Sequence, residues 1–405
     1  MHILFLSYDG ITDALGQSQI LPYLKGLSKK GFIIHIISAE KKPDSFNKVN
    51  SNLLENNINW YPIKYSKYPP VLSTIWDIYK MFKQTKKVVK TYPVKIIHCR
   101  GYITSIIGLK YKRKYNIGFL FDMRGFYADE RAEGGLWNKN NFLYLTIYNW
   151  FKKKEKQFLI NADYVISLTS KGKEIICNNI LNKQLSNIEI IPCCVDLQKF
   201  NYTEINYNIT QNVKIELNIP IEAVVYTYLG SIGTWYLFDE MLIFFNAIYK
   251  QNNKSVFLFI SNDSPNIINE AIIRNNCNKN AIVITSKSSD LVPKYLSVSD
   301  WGLFFIKPVF SKQASSPTKL AEFLAMGIPV ITNKGVGDVD EFIESTNAGV
   351  LVNNFSSDEL VKSVSKINNY NKQNKEFYYN LAFKYFNKDD AINKYADIYN
   401  RINKT

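Results

Sequence analysis

The sequence has little with which to bind metal or close disulfides: three histidines and five cysteines among 405 residues. No cysteines form a CxxC pair, none shares zinc-type spacing with a histidine, and the odd count with Cys193 beside Cys194 offers no disulfide framework. These absences exclude zinc modules and disulfide-stapled scaffolds, and fit a reducing cytoplasm. Long apolar runs are also missing. No stretch of about 18 apolar residues exists to span a bilayer, and the opening MHILFLSYDG meets Asp9 too soon for a signal peptide. The expected location is cytoplasmic, in solution or on a membrane surface. There is no solenoid repeat, no nucleic-acid-binding signature and no GxGxxG fingerprint, so neither nucleic acid nor a dinucleotide cofactor is expected.

Apolar residues and lysines, by contrast, are plentiful. Hydrophobic residues make up 46% of the chain, enough at this length for two cores of roughly 200 residues each. The net charge is +15 and lies entirely in the first half: residues 1–200 carry 30 basic against 15 acidic residues, and the remainder carries 20 of each. Its clusters, KKVVK at 86–90, KYKRK at 110–114 and FKKKEK at 151–156, alternate with Tyr, Trp and Phe. A solvated helix face explains such runs, and so does an anionic membrane surface.

Short β-branched runs alternate with helical stretches. HILFLS, FIIHIIS, KIIHC, GFLFDM, DYVISLT and IEIIP read as strands in the first half, with helices from Gln17 and near 72–90 between them. A second alternation runs through AVVYTYL, VFLFIS, AIVITS, WGLFFI, IPVIT and AGVLV. The pattern predicts an α/β protein with two doubly wound parallel sheets in tandem, whose ligands gather at the carboxyl ends of strands. The Asn-rich stretch 201–220 has neither periodicity and places the hinge near residue 200, with a first domain over 1–198. Residues 375–405 read as helical.

The densest chemistry lies in ASSPTKLAEFLAMGIPVITNKGVGDVDEF, residues 314–342. Pro317 suits the first helical position and Ser316 the cap before it, while Gly327 and Pro329 end the helix. Ser315, Ser316, Thr318 and Lys319 would then put hydroxyls, amides and an ammonium at the positive helix pole, an arrangement suited to phosphate. An ordinary capped helix is the plainer alternative. Glu322 shares the face of Lys319 and could accept hydrogen bonds from two ribose hydroxyls, or simply pair with that lysine. Upstream, the loop LGSIGTWY carries Gly230, Ser231, Gly233 and Thr234 between a strand and a helix, and could curl around the same anion.

In the first half, Gly16 follows the first strand and could offer its amide to a ligand, or be part of an ordinary turn. His98 and Arg100 end one strand, and Asp122 and Arg124 end the next, with Glu130 and Arg131 in the following segment. Arg124 could grip a phosphate or carboxylate and Asp122 could steer an acceptor hydroxyl, unless these are structural ion pairs. Asp338 and Asp340 form a DxD that reads as helix capping, and no metal site is assigned.

Together these parts resemble glycosyltransferase family 4 of the GT-B fold, of the bacterial type that acts on glycans or lipid-linked saccharides. The resemblance rests on the first loop, AD-x-VI-x-LT at 162–169, IP-x-x-VD-x-x-x-F at 191–200 and SPTKLAEFLAMGIPVI, and it covers nearly the whole chain. It implies two Rossmann-like domains facing across a cleft: an acceptor-binding domain over 1–198, a nucleotide-sugar domain over 199–385, and a final helix, 386–405, crossing back to the first. Ser316, Thr318 and Lys319 would hold the diphosphate of the donor, Glu322 the ribose, Gly230, Ser231 and Gly233 the opposite wall, and Thr285 with Ser286 the base. His98, Arg100, Glu130 and Arg131 would face the acceptor, with Asp122 and Arg124 in the catalytic role. Where the family commonly has a second glutamate eight positions before Glu322, this sequence has Ala314. Lys307, Lys312 or Arg124 would substitute for basic loop residues missing after Gly230. The implied activity is metal-independent, retaining transfer of a sugar from a nucleotide diphosphate, without a cofactor. The alternatives are a nucleotide-sugar 2-epimerase of similar architecture and a non-catalytic binding partner.

Overall fold

The computed structural model describes residues 1–41 and 46–404. The chain divides into two compact units, Met1–Pro192 joined by Lys388–Thr405, and Cys193–Asn387.

The first unit is built on a seven-stranded sheet in the order β3-β2-β1-β4-β5-β6-β7. Its strands are β1 (His2–Ser7), β2 (Ile33–Glu40), β3 (Ile58–Lys64), β4 (Val94–Arg100), β5 (Gly118–Asp122), β6 (Tyr164–Ser167) and β7 (Ile188–Ile190). Every pairing is parallel, with Leu4 opposite His35 on one side of β1 and Ile97 on the other. Helices cover both faces, which is why the central strands are apolar runs without alternation: Ile3, Leu4 and Leu6 are all fully buried. The sequence pattern missed β3, INWYPIK, because Pro62 argues against a strand. Its place at the sheet edge, paired to β2 alone, explains how a proline is tolerated there.

The second unit holds a six-stranded parallel sheet in the order β10-β9-β8-β11-β12-β13. These are β8 (Val224–Leu229), β9 (Ser255–Ile260), β10 (Ile282–Thr285), β11 (Trp301–Leu303), β12 (Val330–Asn333) and β13 (Gly349–Val352). The Asn-rich segment expected to lack periodicity contains a helix, Tyr207–Glu216, started by the Asn206 side chain accepting from the Ile209 amide at 2.9 Å. Its apolar stripe is thin, with Val213 its buried apolar residue, and this hid it from a periodicity reading.

In each sheet the strand order runs outward in both directions from a central pair, β1 with β4 and β8 with β11. The loops leaving these pairs diverge to opposite faces and open a crevice at the carboxyl edge. The terminal helix, Lys388–Lys404, packs on the first unit. Ile392 fills the space left by Gly26, where a Cβ would lie 2.3 Å from its Cδ1, and Tyr395, Ile398, Tyr399 and Ile402 are buried.

Candidate functional site

At the crevice of the second sheet, the loop leaving β8 and the loop leaving β11 are joined. Leu237 donates its amide to the Phe305 carbonyl and Lys307 to that of Trp235, both at 3.0 Å, and Tyr236 bridges to Ile306. Asn333, the last residue of β12, clamps Ile306 from the other side, accepting its amide at 2.7 Å and donating to its carbonyl at 2.8 Å. The glycine loop is held further by the Asp263 carboxylate, which accepts from the Ile232 amide, and by the Tyr228 hydroxyl, which donates to the Ser231 carbonyl at 2.5 Å. Gly230 takes φ +103°, a conformation that a side chain would strain.

The helix after β11 begins one residue later than the sequence suggested. It spans Thr318–Ala325 with Pro317, not Ser316, at the cap position. Pro317 is extended, and the Ser316 hydroxyl accepts from the Cys193 amide at 3.2 Å instead of capping the helix. That bond uses an oxygen lone pair and leaves the hydroxyl proton able to donate. Helix and sheet approach closely because Gly302 of β11 has no side chain: a Cβ there would meet the Phe323 ring at 2.5 Å. Gly327 closes the helix at φ +71°, as its type and position predict.

Lys319 is the focus of this arrangement. Its ammonium lies 3.6 Å from the Tyr236 ring centroid and 4.0 Å from that of Tyr228, and has no hydrogen-bond acceptor. A Cβ on Gly230 would be 3.8 Å from it, so the glycine loop and the start of the helix meet at this nitrogen. Burial drives the Lys319 ammonium well below the ordinary lysine range, and Glu322 one turn on pulls it partly back. Burial pushes the Glu322 carboxyl up to about 7 against the pull of Lys319 and Lys199, and lifts Tyr236 to about 12. A buried cation faced by aromatic rings and lacking an acceptor is costly unless an anion completes it.

The other expected donor contacts lie around this centre at different distances along the chain. Ser315 precedes the helix with its amide bonded to the Lys312 carbonyl, and Thr318 opens the first turn. Gly233 and Thr234 are exposed on the glycine loop. Thr285 and Ser286 end β10, two strands or ~10 Å from β8. The Thr285 carbonyl accepts from Ser261, and the Ser286 hydroxyl donates to Asn262 at 2.6 Å. Gly16 belongs to the first unit, inside the helix Ala14–Gln19, where a Cβ would lie 2.3 Å from the Gly10 carbonyl. Lys312 covers the Trp235 ring at 3.8 Å. Ala314 is buried. In the DxD, Asp338 makes no side-chain cap to the helix Val339–Thr346, and Asp340 instead reaches back, both oxygens accepting from Gly335 at 3.0 Å.

The first unit gathers a basic cluster where β4 and β5 end. Asp122, buried, lies 3.6 Å from His98 Nε2 and 3.7 Å from both the Arg100 and Arg124 guanidinium groups. Burial pushes its carboxyl up, but Arg124, His98 and Arg100 outweigh that and hold it at about 2. Such a carboxylate is a counter-ion and a weak base. Arg124 takes φ +59°, a conformation uncommon outside glycine and concentrated at functional sites. Two partners come from the terminal helix and were not legible locally: Tyr399 bonds His98 Nδ1 at 2.7 Å, and the Tyr395 hydroxyl donates to Asp122 at 3.3 Å. Glu130 and Arg131 sit on the next helix, Tyr127–Glu133, where Arg131 lies over the Tyr127 ring.

Two parallel sheets in Rossmann order, with an anion-ready centre on the second, define a class that the comparisons name. Residues 19–199 match Glycosyltransferase Family 4 and residues 225–369 match Glycosyl transferases group 1, so the chain belongs to the glycosyltransferases of GT-B type. Sucrose-phosphate synthase from Thermosynechococcus elongatus is similar at 15% identity and TM-score 0.76, covering 99% of each chain. A glycosyltransferase from Rickettsia africae is similar at 16% identity and TM-score 0.71, over 99% of this chain and 98% of that one. Anabaena HepE, in complex with UDP and glucose, is similar at 12% identity and TM-score 0.69, over 98% of each. No curated protein matches this chain by sequence.

Proposed function

We propose that this glycosyltransferase moves a hexose-type sugar from a nucleotide diphosphate to a glycan or lipid-linked acceptor, with retention and without a metal or cofactor. The observation that carries the reading is the buried Lys319 ammonium, without an acceptor, where the Gly230 loop meets the helix start. A diphosphate placed there receives the first-turn amides of the helix, the Ser316 and Thr318 hydroxyls and the lysine charge. Glu322 lies one turn further for the ribose, and the end of β10 stands at nucleoside length from the phosphates. As the sugar–oxygen bond breaks, charge grows on the departing diphosphate, and donors already fixed by the fold stabilise it without rearranging. HepE, similar in fold, has been seen with UDP and with UDP-glucose.

In the first unit, Arg100 and Arg124 supply positive charge for the acceptor, and Asp122 acts by positioning them. Peripheral attachment at the inner face of a plasma membrane belongs to the same reading. A binding module without turnover is the second reading, favoured by the buried Ala314 where a sugar-contacting carboxylate is expected.

The test is incubation with UDP-, GDP- and ADP-sugars in the presence of EDTA. Slow release of nucleoside diphosphate supports transfer. A changed sugar still attached to its nucleotide indicates epimerisation instead, and binding without any turnover indicates the module.

A further inference from the structure

Three helices form one layer on the first sheet: Leu72–Thr91, Tyr102–Tyr115 and Phe142–Asn161, each packed on the next. The outer two have 20 residues each, ~30 Å, while strands β4 and β5 beside them run only ~17–23 Å. Both end where the following strand begins, so their first two turns project past the carboxyl edge of the sheet. That edge is the one carrying Arg100, Asp122 and Arg124.

The outward stripe of each long helix changes character along its length in the same way. On the first, the exposed positions at helical spacing are Leu72, Ile75, Trp76 and Tyr79, followed by Lys83, Lys86, Lys87 and Lys90. On the second, Phe142, Leu143, Leu145 and Trp150 are exposed, followed by Lys153 and Lys156. These are not marginal exposures: Phe142 is 85% exposed, Leu72 62% and Trp76 55%. Between them, the middle helix ends in exposed Lys110, Arg113 and Lys114. The only acidic residues in all three helices are Asp77 and Glu155, both fully buried and paired inward with Lys80 and Lys152. The outer surface of the layer therefore carries no negative side chain.

An apolar, aromatic tip continuous with a purely cationic flank fits the boundary of an anionic bilayer, where rings enter the headgroup–acyl region and lysines meet lipid phosphates. Resting on the function proposed above, we propose that this helix layer is a bilayer-docking surface for anionic phospholipid. Leu72, Ile75, Trp76, Tyr79 and Phe142 are its inserting residues. Docking by the projecting tips brings the Arg100–Asp122–Arg124 edge to the lipid surface, so the acceptor is a membrane-anchored one.

Flotation of the full-length protein with phosphatidylglycerol vesicles, against phosphatidylcholine vesicles, tests this. The protein should float with the former and remain behind with the latter. Ile75→Ser with Trp76→Ser should reduce partitioning at least about tenfold, and Lys83→Glu with Lys87→Glu should abolish it at physiological salt. The thermal shift by nucleoside diphosphate, measured without vesicles, should be unchanged in both variants, and its absence from the parent protein would count against the function instead of the surface. Failure to bind phosphatidylglycerol overturns the inference, as does binding that ignores the apolar replacements. A dimer in solution that Trp76→Ser dissociates would assign the surface to a second copy of this chain.

Discussion

Single residues in both units are held in charge states that water would not give them, and each state has a measurable consequence. The Asp122 carboxyl sits at about 2 in the folded chain, below the 3.8 of an exposed aspartate. Its charge therefore stabilises the fold above pH ~4, and this contribution, about 2 kcal/mol, is lost as pH falls through 2. Asp122→Asn should lower stability by about 2–4 kcal/mol at pH 7, since it leaves buried cations without their counter-ion. In urea denaturation the gap between variant and parent should narrow toward pH 2.5; an equal gap at both pH values would refute the assignment. Glu322 is the opposite case. Burial raises its carboxyl to about 7, so the ionised form that accepts ribose hydroxyls grows as pH rises through neutrality. Nucleoside diphosphate affinity should climb between pH 6 and 8, with a flatter profile in Glu322→Gln, as read by titration calorimetry at each pH.

At the scale of elements, the position of the Thr318–Ala325 helix depends on its contact with β11. Gly302→Ala would drive a methyl group into the Phe323 ring, costing about 1–3 kcal/mol and tilting the helix. Chemical denaturation should show that loss, together with weaker nucleotide binding; weaker binding at unchanged stability would mean the helix is positioned some other way. Elements of this kind were largely legible in advance. Central strands such as VVYTYL and SVFLFI announce themselves because burial on both faces demands continuous apolar runs, and Gly327 with Pro329 marks a helix end by backbone geometry alone. Elements whose stability is supplied by tertiary contacts were not. β3 was obscured by an edge proline, and Tyr207–Glu216 by a thin apolar stripe. The site divides in the same way. Ser316, Thr318 and Lys319 could be read from local pattern, but the Tyr228 and Tyr236 rings against Lys319, the Asn333 clamp and the Asp263 brace arise from strands far apart in sequence. The single-residue error at the helix start has a similar origin, because the Ser316 hydroxyl is drawn to Cys193, 123 residues away.

Across the whole molecule, the chain is two units whose ends are shared unevenly, since the last helix belongs to the first unit. Removing residues 388–405 would uncover the apolar face beneath Ile398, Tyr399 and Ile402 and remove the Tyr399 partner of His98. Calorimetric unfolding of the shortened chain should show a sharply lowered transition for the first unit and a nearly unchanged one for the second; two unaltered transitions would contradict the packing described. The whole account rests on pyrophosphate capture at Lys319, and calorimetric titration of UDP, GDP and ADP, each beside its phosphate-free nucleoside, tests it most directly. At least one diphosphate should bind while its nucleoside does not, and Lys319→Met should weaken that binding at least about tenfold, the loss of a charge-assisted contact, without lowering the stability of the unliganded chain. Equal affinity in the variant, or no binding of any diphosphate by the parent protein, would contradict it.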